Sequence, residues 1–191
     1  IKNIDLENVF TLKEFSDGIV LKKAMMKPEN KRVVIIGAGY IGLEAVEAAV
    51  NLKKEVRIIQ LGDRVIPGSF DKEITDIMET EIRGHKDVFL NLNEAVSEFE
   101  EKNGKVSGVR TNKGVYPADI VILATGVRPN TKFLEGTGIE TLKNGAVIID
   151  GRGRSSIKGI YAAGDCATVY HKIKKENVYI PLATTSNKIG R

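Results

Sequence analysis

The sequence predicts an α/β fold: a Rossmann-like parallel sheet with helices, carrying an inserted antiparallel β-meander. Three observations predict it. The apolar, β-branched run Arg32-Val-Val-Ile-Ile36 enters Gly37-Ala-Gly-Tyr-Ile-Gly42 without a break. Residues 43–52 then repeat Ala, Val and Leu at helical spacing, and 55–61 is strand-like again, which completes one β-α-β unit. Between 88 and 116 the pattern changes to short alternating runs (95–99 and 105–111) broken by Asn103-Gly104 and Lys113-Gly114, both hairpin turn signals.

The other elements follow in chain order. Residues 1–11 read as an extended lead-in. Residues 15–26 carry Phe15, Ile19, Val20, Ala24 and Met25 at helical spacing, with Ser16 or Asp17 as the cap and Pro28 as the stop. A second amphipathic helix over 71–83 presents Ile74, Ile77, Met78 and Ile82, with Asp71 as its cap. Residues 119–124 return to a buried strand. A loop with one helical turn is expected over 126–138, and further short strands over 146–150 and 160–163. No internal repeat or low-complexity segment is present.

Composition narrows the function classes. The 191 residues are 42% hydrophobic, enough for an ordinary globular core. The formal charge of +4 is spread among mixed signs. The one basic cluster, 172–175, has no interleaved aromatics, so it reads as a solvated turn and not as a nucleic-acid patch. The single cysteine, Cys166, permits no internal disulfide, which fits a reducing, cytoplasmic setting, and it reads as a small buried thiol. No apolar run approaches the roughly 20 residues needed to span a bilayer, and no signal-peptide pattern opens the chain. The lack of a starting Met and the end at Arg191 suggest a piece of something longer.

The glycine motif carries the chemistry. A lone GxGxxG is weak, but here strand, motif and helix stand in order. Gly37 suits a tight turn with positive φ. Gly39, without a side chain, lets a pyrophosphate approach the backbone. Gly42 lets helix and strand pack closely. The helix start then offers N–H groups and a positive dipole end to the phosphates. The competing reading is a glycine-rich turn that binds nothing. At the ribose position, where an acid favours NADH, the sequence has Gln60, which does not repel a phosphate. Arg64 has two readings: a contact to a 2′-phosphate, or a surface residue paired with Asp63. NADH and NADPH both remain open.

At this point the residues resemble the flavin-dependent pyridine nucleotide-disulfide oxidoreductases, closest to the coenzyme A-disulfide reductase and NADH oxidase or peroxidase branch. Four segments carry the resemblance: Gly37-Ala-Gly-Tyr-Ile-Gly-Leu-Glu44, Ala124-Thr-Gly-Val-Arg-Pro-Asn130, Ile160-Tyr-Ala-Ala-Gly-Asp-Cys-Ala167, and Tyr179-Ile-Pro-Leu-Ala-Thr184 continuing to Gly190-Arg191. The resemblance implies that Tyr40 and Ile41 lie at the nicotinamide end, with Tyr40 covering the flavin until nicotinamide displaces it. It implies that Glu44 faces the carboxamide, that Gly126 lines the nucleotide, and that Asp165 bonds the FAD ribityl chain. Leu182, Ala183 and Thr184 would begin a helix whose N–H groups face the flavin. Taken alone, these residues have plainer readings: Tyr40 as packing at a helix start, Glu44 as a residue favoured by the helix dipole, and Asp165 as a turn or cap residue.

The resemblance further implies a lead-in plus helix over 1–30, an NAD(P)-binding domain over 31–160, and a return segment toward an FAD domain over 161–191. The family's own FAD glycine motif, its redox cysteine and its dimerisation domain are not among these residues. The expected function is therefore to bind NADH or NADPH within a homodimeric FAD enzyme. That enzyme would pass hydride to flavin and on to a disulfide, coenzyme A disulfide, oxygen or peroxide. The chain alone should bind nucleotide without turnover. The alternatives are a reductase of an electron-carrier protein and a nucleotide-sensing module with no chemistry.

Overall fold

The computed structural model describes residues Ile1–Arg191, which form two compact units, Ile1–Gly126 and Val127–Arg191. The first unit opens with strand β1 (Val9–Thr11) and helix α1 (Phe15–Met25), followed by β2 (Arg32–Ile36), α2 (Tyr40–Asn51), β3 (Glu55–Ile59), α3 (Lys72–Gly84) and β4 (Val88–Asn91). Strands β5 (Val96–Lys102), β6 (Lys105–Thr111) and β7 (Val115–Pro117) precede β8 (Ile120–Leu123). The five-stranded sheet runs β1-β8-β2-β3-β4 with every pairing parallel. Strands β5, β6 and β7 form a separate antiparallel sheet.

The side-chain alternation of β2 shows how the layers assemble. Val33 and Ile35 join Leu21 and Met25 of α1 and Ala45, Val46 and Ala49 of α2 in one buried cluster. Val34 and Ile36, one residue out of phase, pack with Phe99, Val106 and Val109 of the meander in another. Successive strand residues point to opposite faces, so a run that is apolar throughout must be covered on both sides. Here helices cover one face and the meander covers the other. The turn at Asn103 (φ 56°) and Gly104 (φ 79°) places both residues in the left-handed region, as a two-residue hairpin turn requires.

Several expectations are corrected. Glu14, not Ser16 or Asp17, caps α1; Asp17 instead accepts the N–H groups of Lys13 (2.9 Å) and Glu14 (3.1 Å). The helical stripe of α1 is only partly inward, because Phe15, Ile19 and Val20 are exposed while Leu21, Ala24 and Met25 are buried. On α3, Ile74 and Ile77 are exposed, whereas Met78 and Ile82 pack on the core. Helix α2 begins at Tyr40, inside the glycine motif and three residues before the expected start. Residues 88–91 belong to the parallel sheet as its edge strand, because Val88 and Leu90 reach the core beside Val56 and Ile58.

The second unit is loop-rich. It contains 3-10 turns at Lys132–Leu134 and Gly164–Cys166, an antiparallel hairpin of β9 (Val169–His171) and β10 (Glu176–Val178), and helix α4 (Ala183–Ile189). The basic cluster 172–175 is the turn of that hairpin. Residues 146–150 and 160–163 are not strands. They make only isolated bridges, Val147 with Thr141 and Ala167, and Tyr161 with Arg154, because no neighbouring segment runs alongside long enough to form a ladder. Val147, Ile149 and Ala167 form this unit's small core. No helix is long and apolar enough to cross a membrane.

Candidate functional site: the glycine loop of the first unit

The strand β2 ends at Ile36 and the chain turns at once. Gly37 takes φ 103° and donates its N–H to the Ile59 carbonyl at 2.8 Å, tying the loop to the neighbouring strand. A Cβ on Gly37 would lie 2.3 Å from the Ala124 carbonyl oxygen, so both conformation and space require glycine. A Cβ on Gly42 would lie 2.1 Å from the Gly37 carbonyl oxygen, which sets the close approach of α2 to the loop. Gly39 is different. Its φ of −81° suits any residue, and a Cβ there meets nothing within 4 Å. Nothing inside the chain asks for glycine at this position. The open space lies above the start of α2, where no side chain caps the helix and the first turn holds no acid. The first N–H groups of a helix lack intrahelical partners and carry the positive end of its dipole, so this is a place built for an anion.

The residues flanking the loop complete the surround. Tyr40 is 41% exposed and meets Phe70 edge-on, with ring centroids 6.4 Å apart. Ile41 packs on the core, and Glu44 is exposed beyond the first turn of α2. Gly126, with φ 105°, follows the end of β8 by three residues, next to the Ala124–Thr125 backbone that abuts Gly37. The Ala38 N–H donates to Gln60 Oε1 at 3.0 Å, and the Ile66 N–H donates to the Ala38 carbonyl at 2.8 Å. The Gln60 amide oxygen thus accepts one bond, and its Nε2 lies beside Gly62, 3.1 Å from where a Cβ on that residue would stand. Arg64 Nε is buried and has no hydrogen-bond partner, and of the two readings of Arg64 the pair with Asp63 does not form. Arg64 is half-buried and Asp63 is exposed.

In the second unit Asp165 sits in the 3-10 turn, and its Oδ1 accepts a hydrogen bond from Ser186 of α4. Leu182 is the N-cap of α4, and Ala183 and Thr184 are its first residues. The Tyr179 hydroxyl is buried without a partner. Burial raises its pKa, and the nearby Asp165 and Cys166 add to the rise. Cys166 is half-buried, not buried, because the turn leaves one side of it open; its thiol donates to the Ala163 carbonyl at 3.1 Å. No cluster of His, Cys, Asp or Glu suited to a metal is present.

Sequence reasoning missed Phe70, Ser186 and Tyr179. Phe70 directly precedes the α3 cap, where an apolar residue ordinarily serves as a helix staple, so nothing in its position signals contact with Tyr40.

Comparison with known proteins agrees with this geometry. The family model for pyridine nucleotide-disulphide oxidoreductases matches residues 2–190. An NAD(P)H sulfur oxidoreductase (CoA-dependent) of Pyrococcus abyssi is 41% identical over 190 residues, covering 100% of this chain and 42% of the relative. A water-forming NADH oxidase from Lactobacillus brevis, solved bound to NADH, superposes with a TM-score of 0.91 at 38% identity over 100% of this chain and 41% of that one. An engineered water-forming NADPH oxidase derived from it, bound to NADPH, gives 0.91 at 37% identity over the same 100% and 41%. The chain therefore spans about two-fifths of the length of its relatives. With the family model matched over nearly every residue, the chain belongs to the pyridine nucleotide-disulphide oxidoreductase family.

Proposed function

We propose that this chain is the NAD(P)H-binding part of an FAD-dependent oxidoreductase. The observation that carries the proposal is Gly39: an open position with unrestricted backbone, above an uncapped helix start, whose lack of a side chain serves only something outside the chain. The residues present fit a nicotinamide dinucleotide. Gly39 would let the pyrophosphate approach, with Gly37 and Gly42 shaping the loop beneath it; Tyr40, Ile41 and Glu44 would lie at the nicotinamide end, Gly126 on the facing side, and Gln60 and Arg64 at the ribose. The Gln60 amide carries an NH2 donor and Arg64 only donates, so the ribose end suits a 2′-phosphate as well as a hydroxyl. NADPH is therefore a cofactor of this site alongside NADH.

Asp165, Leu182, Ala183 and Thr184 would hold FAD, and the unpartnered Tyr179 hydroxyl beside Asp165 supports a polar ligand there. Bound FAD would accept hydride from the nicotinamide and supply the electrons for an acceptor. This chain's residues bind and orient; none of them performs a redox step. The acceptor of the whole protein would be a disulfide, coenzyme A disulfide, oxygen or peroxide, in line with relatives named as a CoA-dependent sulfur oxidoreductase and an NADH oxidase. Its working form would be a cytoplasmic homodimer. Calorimetric titration with NADH and with NADPH tests the reading: the chain should bind both, and Gly39→Val should abolish binding while keeping its circular-dichroism spectrum. A folded chain that binds neither nucleotide would refute it.

A further inference from the structure

Beneath the ribose end lies a buried polar cluster that the binding of nucleotide does not by itself explain. Glu94 is 2% exposed. Its Oε1 accepts from the Thr111 hydroxyl at 2.6 Å and its Oε2 accepts from Asn91 Nδ2 at 2.8 Å. Asn91 Nδ2 also reaches the Tyr116 hydroxyl at 3.0 Å, and Asn91 Oδ1 accepts from Arg57 Nη1 at 2.8 Å. The Arg57 guanidinium is held between two rings, 4.7 Å from the Phe89 centroid and 4.3 Å from that of Tyr116. Every atom of this cluster is directional, and the apolar core of the same layer is already supplied by Phe99, Val106 and Val109. A buried carboxylate in such a place is costly unless it is fully satisfied, and apolar packing would serve stability as well.

The segment that carries Asn91 and Glu94 also holds the backbone of Gln60. Its N–H donates to the Asn91 carbonyl at 2.9 Å, and its carbonyl accepts from the Glu94 N–H at 3.0 Å. The Asn93 N–H donates to the Gly62 carbonyl at 2.9 Å. Residues 91–94 thus hold residues 60–62 by three bonds, while the Gln60 side chain is pinned to the glycine loop through Ala38. We propose that Glu94 is a positioning residue for nucleotide discrimination: its carboxylate locks residues 91–94 to the meander, these lock Gln60, and the Gln60 NH2 group is thereby aimed to distinguish a 2′-phosphate from a 2′-hydroxyl. This rests on the dinucleotide-binding reading above.

The test uses the two adenosine halves, 2′,5′-ADP and 5′-AMP, titrated calorimetrically into the chain and into Glu94→Gln, which keeps size but puts an amide NH2 where one of the two acceptors stood. The ratio of the two affinities should fall by about three- to tenfold in the variant, through weaker 2′,5′-ADP binding, with 5′-AMP changed by less than about twofold. Thr111→Val, which removes the donor to the other carboxylate oxygen and preserves shape, should move the ratio the same way, and it decides the matter alone if Glu94→Gln does not fold. Equal weakening of both ligands, or no change in either, would show Glu94 to be merely structural and overturn the proposal. An unmodified chain that binds neither NADH nor NADPH would instead sink the function reading, and this inference with it.

Discussion

Gly42 stands so close to Gly37 that a Cβ on it would lie 2.1 Å from the Gly37 carbonyl oxygen. The obstacle is backbone, which cannot swing aside as a side chain can, and the Gly37 loop is itself tied to β3 through Ile59. Gly42→Val should therefore destabilise the chain by about 3 kcal/mol in urea denaturation. Gly39→Val, facing open space, should cost about 1 kcal/mol or less, the usual effect of losing a favourable N-cap residue. Equal losses at the two positions would contradict the separation of packing glycine from ligand glycine.

At the other end of the same strands, Asp119 binds the start of β2. Its Oδ2 accepts the N–H groups of Lys31 (3.0 Å) and Arg32 (2.8 Å) and Arg32 Nε (3.1 Å), while Oδ1 meets Arg32 Nη2 at 2.5 Å. Burial pushes the carboxyl up, but the Arg32 side chain and the two backbone N–H groups outweigh it and hold it below its usual range. Asp119→Ala should cost about 2 kcal/mol, leaving four donors without this acceptor. A loss below about 0.5 kcal/mol by denaturant titration would place the ion pair among surface pairs of no consequence.

Asp150 gives the second unit a pH-dependent latch. Its carboxylate accepts Arg154 Nε at 2.7 Å and the N–H groups of Arg152 (2.8 Å) and Arg154 (3.0 Å). The Arg154 side chain, then the two N–H groups, lower its pKa from 3.8 to about 2. A depressed pKa means that the stabilisation is fully present above the unfolded value near 3.8 and is lost as pH falls through about 2. Melting curves of the chain and of Asp150→Asn should differ at pH 6 and draw together toward pH 2. A gap independent of pH would rule out the carboxylate as its source.

The sheet and the loop were legible in the sequence because each is set locally: β-branched residues in 32–36, glycines at fixed spacing, and Asn103-Gly104 at a hairpin. Three features were not, and each depends on distant partners. Residues 88–91 look like the start of the meander, yet Val88 and Leu90 are claimed by the parallel sheet through β3. Ile74 and Ile77 have helical periodicity, but the face they occupy is exposed. Residues 146–150 and 160–163 have strand composition but pair only through isolated bridges. In the candidate site the glycines were readable. The bond from Ala38 to Gln60 and the unpaired Arg64 were not, since both arise from the way residues 61–66 fold back over the loop.

That fold-back bears on cofactor preference. Arg64 Nε is buried without a partner, a desolvation cost to the fold, and the guanidinium is the cation proposed for a 2′-phosphate. Arg64→Ala should therefore weaken NADPH binding by about ten- to a hundredfold, the worth of a charge-assisted bond. NADH binding should change by less than about threefold, and thermal stability should stay level or rise slightly, because an unsatisfied donor is removed. Gln60→Glu should shift the preference in the same direction by a different route. A carboxylate accepts from ribose hydroxyls and repels a 2′-phosphate, so NADPH should lose affinity while NADH keeps it or gains. Paired titrations of the two variants with both nucleotides check this. If Arg64→Ala lowers both affinities alike, the guanidinium supports the loop itself and reads nothing at the ribose.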